Sequence, residues 1–170
     1  MSDPDEPRSE RALNDAERPL LEAFLDNCRG ELLAAVQGLT DEQPRRRLVP
    51  SLTTPMALLK HAAWVERVWF QASLAGRSRE EIGISHQIDD SFVPSEDDTL
   101  ASVVEDFRRA CAESRAVAAT HDLDDHALHN RRGPLSVRWI YVHMIEELAR
   151  HAGHADILRE QIEATDRGQA

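Results

Sequence analysis

Residues 137–164 read VRWIYVHMIEELARHAGHADILREQIEA, and the spacing of their apolar positions decides the fold. Steps of three and four lead from Val137 through Ile140, Met144, Glu147, His151, Ala155 and Leu158 to Ile162. Side chains at that spacing share one face of an α-helix. Ser136 stands just before the run, where a hydroxyl can accept from a free backbone N–H of the first turn. The stretch predicts one long helix, from Val137 to about Ala164, with a single buried seam.

Three more helices follow from the same period. From Asn14 or Asp15 to about Gln37, the residues Leu20, Leu21, Phe24, Leu25, Leu32, Leu33 and Val36 predict one buried face, and Gly38 a stop. Thr54 followed by Pro55 is a cap residue and a favoured first helical residue; the helix they open runs through Leu59, Ala62, Trp64, Val68 and Trp69 to near Gly76. A further helix spans about Thr99 to Ala119, with Leu100, Val103, Val104, Phe107 and Ala110 inward. The intervening stretches, 77–98 and 121–134, are polar connectors, and connections of such length often carry function. No convincing strand interrupts the pattern. The expectation is an all-α, four-helix bundle in one domain over residues 14–165, with an acidic, proline-containing tail at 1–13 and a short tail at 166–170.

Composition narrows the function classes. The chain has 170 residues, and its 31 acidic against 20 basic residues give a net charge of −11, a balance that repels nucleic acid and anionic membranes. The densest basic run, Arg45-Arg46-Arg47, reads as a solvated or ion-paired connector. No segment has the length and apolarity of a membrane span and no leader opens the chain, so a soluble, cytoplasmic protein is expected. Cys28 and Cys111 fall inside helices without metal-type spacing and read as free, buried thiols. Lys60 is the single lysine, a bias of codon usage rather than of chemistry.

The chemistry lies in the seam. The period that buries Met144 and Leu158 also turns Glu147 and His151 inward, and their four-residue separation stacks them on neighbouring turns. A carboxylate at a core position is costly unless something neutralises it. His61, three residues after Leu58 and four before Val65, points inward from the second helix. A lone inward histidine is more often a hydrogen-bonded core residue than a ligand. Two histidines and a glutamate from facing helices instead match a three-ligand metal site with an open coordination position. Zinc suits this donor set first; nickel, iron and cobalt are also compatible. His143 and His154 flank the pair as orienting or surface groups, or as substitutes for Glu147. His86, His121, His126 and His129 read as surface residues. Neither a His-Glu-x-x-His protease helix nor paired Glu-x-x-His di-iron motifs are present. No general base stands out: Glu66 lies on another face than His61, and Asp156 reads as an exposed or capping acid.

The stretch Leu59-Lys60-His61-Ala62-Ala63-Trp64-Val65-Glu66-Arg67, with Trp69-Phe70, resembles the second helix of the DinB/YfiT-like superfamily, in particular its actinobacterial branch. The stretches His143-Met144-Ile145-Glu146-Glu147 and Ala149-Arg150-His151-Ala152-Gly153-His154-Ala155-Asp156 are similar to its fourth helix, and the similarity runs from about residue 18 to 162. The resemblance implies a four-helix bundle with one divalent metal held by His61, Glu147 and His151. Glu147 replaces the histidine usual at that position, as in the related mycothiol-dependent maleylpyruvate isomerases. It further implies a metal-dependent enzyme that activates a small thiol, such as mycothiol, for S-transfer or thiol-assisted isomerisation of an electrophile. The competing expectation is a non-catalytic metal-binding bundle, a stress-related interaction or dimerisation module. Trp64, Trp69 and Trp139 are candidates for a pocket wall that would separate the two, and an exposed helix face leaves room for a homodimer.

Overall fold

A computed structural model describes residues 7–168. A short helix α1 (Arg8–Arg11) precedes four long ones: α2 (Glu17–Ala34), α3 (Pro55–Glu66, continuing as a π-helix over Arg67–Leu74), α4 (Leu100–Ala118) and α5 (Val137–Gly168). α2 packs on α5, α3 on α4, and α3 also on α5. α3 is the central element, buried on nearly every side from Pro55 to Glu66, as expected of a helix apolar all round. The bundle is all-α apart from a two-stranded antiparallel ribbon, β1 (His126–Ala127) and β2 (Leu135–Ser136), which pairs His126 with Ser136 and Ala127 with Leu135.

Local chemistry sets the helix starts. Thr54 Oγ1 accepts from the Ala57 N–H at 3.1 Å, Thr99 and Ser102 form a reciprocal capping box, and Ser136 Oγ accepts from the Trp139 N–H at 3.2 Å. The seam of α5 is buried at Val137, Ile140, Met144, Ala155, Leu158 and Ile162. Gly38 and Gly76 take positive φ, +79° and +71°, after α2 and after the π-helix. A Cβ at Gly76 would also lie 2.8 Å from Nε2 of His129, so the bare glycine seats the loop that follows β1.

Several expectations need correction. Phe24 is not part of the buried face of α2 but 44% exposed; Arg29 is buried there, beside Cys28, which is buried as expected. α5 runs through Gly168, and Asp166 accepts from Arg46 and Gln43, which ties the connector to the end of that helix. Within the stretch read as a tail, α1 is held by Arg8 on Asp26 at 2.7 Å, and Ala12 is buried. Residues 1–6 and 169–170 lie outside the described residues.

The π-helix has a geometric consequence. In an α-helix of 3.6 residues per turn, steps of four drift about 40° each around the axis. A π turn, with its i→i+5 hydrogen bonds, carries more residues and reverses that drift. His61, Val65, Trp69 and Ser73 therefore stay on one face and line one cavity.

A buried ion pair crosses the core. Arg29 on α2 donates through its Nε and one terminal nitrogen to both carboxylate oxygens of Glu66 on α3, at 2.8 and 2.7 Å, and through the other to Asp26 at 2.8 Å. Glu66 thus turns away from His61, as its different face predicts, toward a partner that helix periodicity does not reveal. Cys28 and Cys111 are buried free thiols. Burial pushes Cys111 up to about 12 and raises Cys28 as well, so neither offers a thiolate at neutral pH.

Candidate metal centre

His61 on α3 meets Glu147 and His151 on α5. Glu147 Oε1 lies 3.3 Å from His61 Nε2 and 3.1 Å from His151 Nε2, and the three residues each offer a ligand atom within 4.8 Å of the others. The His61 ring is buried between its fellow triad member His151 and a residue the sequence did not single out, Phe92. Phe92 stacks on one face at 3.9 Å between centroids, and His151 stands edge-on at 5.0 Å. Phe92 and Ser91 belong to a single 3₁₀ turn, Asp89–Phe92, inside the long 77–98 connector.

The hydrogen-bond chain behind His61 assigns its tautomer. Ser91 Oγ donates its one proton to the Ile88 carbonyl and lies 2.8 Å from His61 Nδ1. Nδ1 must therefore carry the proton it donates to Oγ, and in the neutral ring Nε2 presents a lone pair. Burial lowers the His61 pKa, which favours this neutral ring. Contact with the His151 ring holds the Glu147 carboxyl well below the usual carboxylate range, so it is ionised.

A lone pair thus faces an anionic oxygen at 3.3 Å. A proton on Nε2 would relieve this only by creating a buried imidazolium, whereas a divalent cation relieves it without one. His151 turns Nε2 toward Glu147, and its Nδ1 is buried with no hydrogen-bond partner among the described residues. Two imidazoles and one carboxylate fit a divalent cation. Ser91 behind His61 is the kind of outer partner that fixes ligand orientation. Ser91→Ala is accordingly expected to weaken zinc affinity about tenfold to a hundredfold without unfolding the protein, as read by competition against a chelating dye.

The flanking histidines do not join the triad. His154 is exposed, its ring 5.8 Å from that of His151. His143 stacks on Trp139 at 4.8 Å and stands edge-on to Trp69 at 4.9 Å; burial lowers its pKa and keeps it neutral at pH 7.

His61 and Glu147 open onto a cavity of about 590 Å³, within the range of small-molecule sites. Trp64, Val65, Val68 and Trp69 form its apolar wall; Trp139 lies outside the lining but packs against Trp69. His86 and His129, read from sequence as plain surface residues, also line it, as do Arg79, Arg131 and Arg132. The sequence carries no periodic signal for these loop residues, because loops have no period.

Among the described residues no helix is long and apolar enough to cross a membrane. The bundle is similar to the crystal structure of a conserved protein from Enterococcus faecalis, with a TM-score of 0.68 over 87% of this chain and 98% of that one. At 14% identity that likeness concerns the fold alone. No curated protein matches the chain. A family model described as mycothiol-S-transferase matches residues 20–164, a span that holds α3, α4 and all three residues of the triad. The chain belongs to this DinB/YfiT-like family, the mycothiol-S-transferases.

Proposed function

We propose that this protein is a cytoplasmic, metal-dependent S-transferase that activates a small thiol of the mycothiol class and joins its sulfur to an electrophile. The observation that carries the reading is a ligand triad, His61, Glu147 and His151, with two members opening onto a cavity large enough for both reactants. A closed cluster without a cavity would suit a purely structural metal. A divalent cation at the triad, zinc first, supplies the positive charge that favours thiolate over thiol at neutral pH.

The chain's own groups account for the rest. Ser91 holds the His61 ring with Nε2 toward the site. Trp64, Val65, Val68 and Trp69 exclude water from one side of the cavity, which strengthens every charge interaction inside it. His143, neutral and fixed between two indoles, is the imidazole placed to take the thiol proton and pass it to solvent. The sulfur lone pair forms the new C–S bond while the leaving group departs with its bonding electrons, so that thiol and electrophile become thioether, leaving-group anion and a proton.

The test is the rate of thioether formation from mycothiol and 1-chloro-2,4-dinitrobenzene on zinc-loaded protein, followed by absorbance. Acceleration over the uncatalysed reaction is expected with mycothiol and is expected to disappear in His151→Ala. Stoichiometric metal with no acceleration for mycothiol or for any other small thiol would sink the enzyme reading.

A further inference from the structure

The cavity mouth is cationic in a protein whose net charge is −11. Arg79, Arg131 and Arg132 line it, and Glu147, at the triad, is the single carboxylate in the lining. Most other arginines engage carboxylates: Arg29, Arg67, Arg138 and Arg150 each form ion pairs. Among the described residues none of the three cavity arginines has an acidic partner within 4.0 Å, although acids outnumber bases 31 to 20.

Two of the three are held in place without losing their charge. The Arg132 guanidinium lies over Trp69 at 5.5 Å and Trp139 at 5.6 Å. Arg79 lies over Trp64 at 5.1 Å and donates one N–H to the Ser85 carbonyl at 2.9 Å. Stacking on an indole fixes the plane of a guanidinium and leaves its N–H edges for a planar, bidentate acceptor. The loop that carries Arg131 and Arg132 is itself anchored, by the β1–β2 ribbon and by His129 seated on Gly76. The remaining titratable groups of the lining, His86, His129 and His143, add no negative charge.

We propose that these arginines bind the carboxylate of the second substrate, so that the enzyme selects electrophiles bearing a carboxylate over neutral ones of the same shape. The inference rests on the thiol-transfer reading and names the substrate class of that site. The carboxylate sits at the arginine mouth and the reacting carbon points toward the His61 and Glu147 end. Arg79 is half-buried and Arg131 and Arg132 are exposed, so the gain comes from charge-assisted, bidentate pairing, which is roughly twice as strong as neutral hydrogen bonding. A local positive field also draws an anion past a chain that otherwise repels it.

Two electrophiles that differ in charge alone test the proposal: 4-chloro-3,5-dinitrobenzoate and 4-chloro-3,5-dinitrobenzamide, each losing chloride to mycothiol on the zinc-loaded, full-length protein. With each kcat/KM divided by its uncatalysed rate, the benzoate is expected to exceed the amide by about tenfold. Arg132→Gln and Arg79→Gln are each expected to lower that ratio about fivefold. Arg108→Gln, an exposed position on α4 outside the cavity lining, is expected to leave it unchanged. Calorimetric titration with unreactive 3,5-dinitrobenzoate, with and without zinc, reads binding apart from turnover. Benzoate binding that is lost in Arg132→Gln supports the anion site even if no thiol transfer occurs. Turnover without preference for the benzoate, or a preference indifferent to both cavity substitutions, overturns the anion site and leaves thiol transfer standing.

Discussion

Replacing His61 or His151 by alanine is expected to weaken zinc binding roughly a hundredfold to a thousandfold and to leave purified protein nearly metal-free. A complete zinc site is worth about 10–16 kcal/mol, and one ligand accounts for about a quarter of that. Both residues are expected to be needed, since Glu147 Oε1 stands within 3.3 Å of each Nε2 and no fourth side chain completes the cluster among the described residues. Elemental analysis of untagged wild type beside the two variants reads the effect, with about one divalent ion per wild-type chain expected. His154→Ala should match wild type, because that ring is exposed and outside the cluster. Metal content that survives both ligand substitutions would place the ion elsewhere, and the S-transferase reading would lose its centre.

The second large effect concerns stability. Glu66→Ala removes both acceptors of a guanidinium that is 5% exposed and leaves Arg29 with Asp26 as its remaining partner. Breaking a buried pair from one side typically costs about 3–5 kcal/mol, because the surviving charge stays desolvated. For a chain of this size that is a fall in melting temperature of roughly 10 °C or more. The double substitution Arg29→Met with Glu66→Leu is expected to recover most of the loss, since it buries apolar groups of similar volume in place of two charges. Thermal denaturation of wild type and the two variants by circular dichroism makes the comparison. A single substitution as mild as about 1 kcal/mol would show that water reaches the pair.

Position along the chain explains which features were readable. His61, Glu147 and His151 stand out in the sequence because each breaks an otherwise apolar helical face, and a polar residue at a buried register is conspicuous wherever the register is known. The caps at Thr54 and Ser136 are equally local, each a hydroxyl placed before a run of helical period. Phe24 misled for the same reason: the period puts it beside Leu25, but the boundary of the buried face depends on how closely α5 approaches. The change from α to π geometry at Arg67 leaves the same residues in the seam and merely alters the angle between them, so the sequence holds no separate mark of it.

Helix number, helix register and the three inward polar residues are properties of the chain itself, because hydrogen bonds within a helix and the burial of one face act over a few residues. Which of those residues meet, and what surrounds them, was decided by packing. Ser91 and Phe92 reach His61 only because the 77–98 connector folds a turn back onto α3. Arg29 finds Glu66 only because α2 and α3 both pack on α5, within reach of a long side chain. Arg79 and Arg132 come to one cavity from connectors far apart in sequence. Loops have no period, and contacts between distant segments are settled by the shape that the packed helices leave for them.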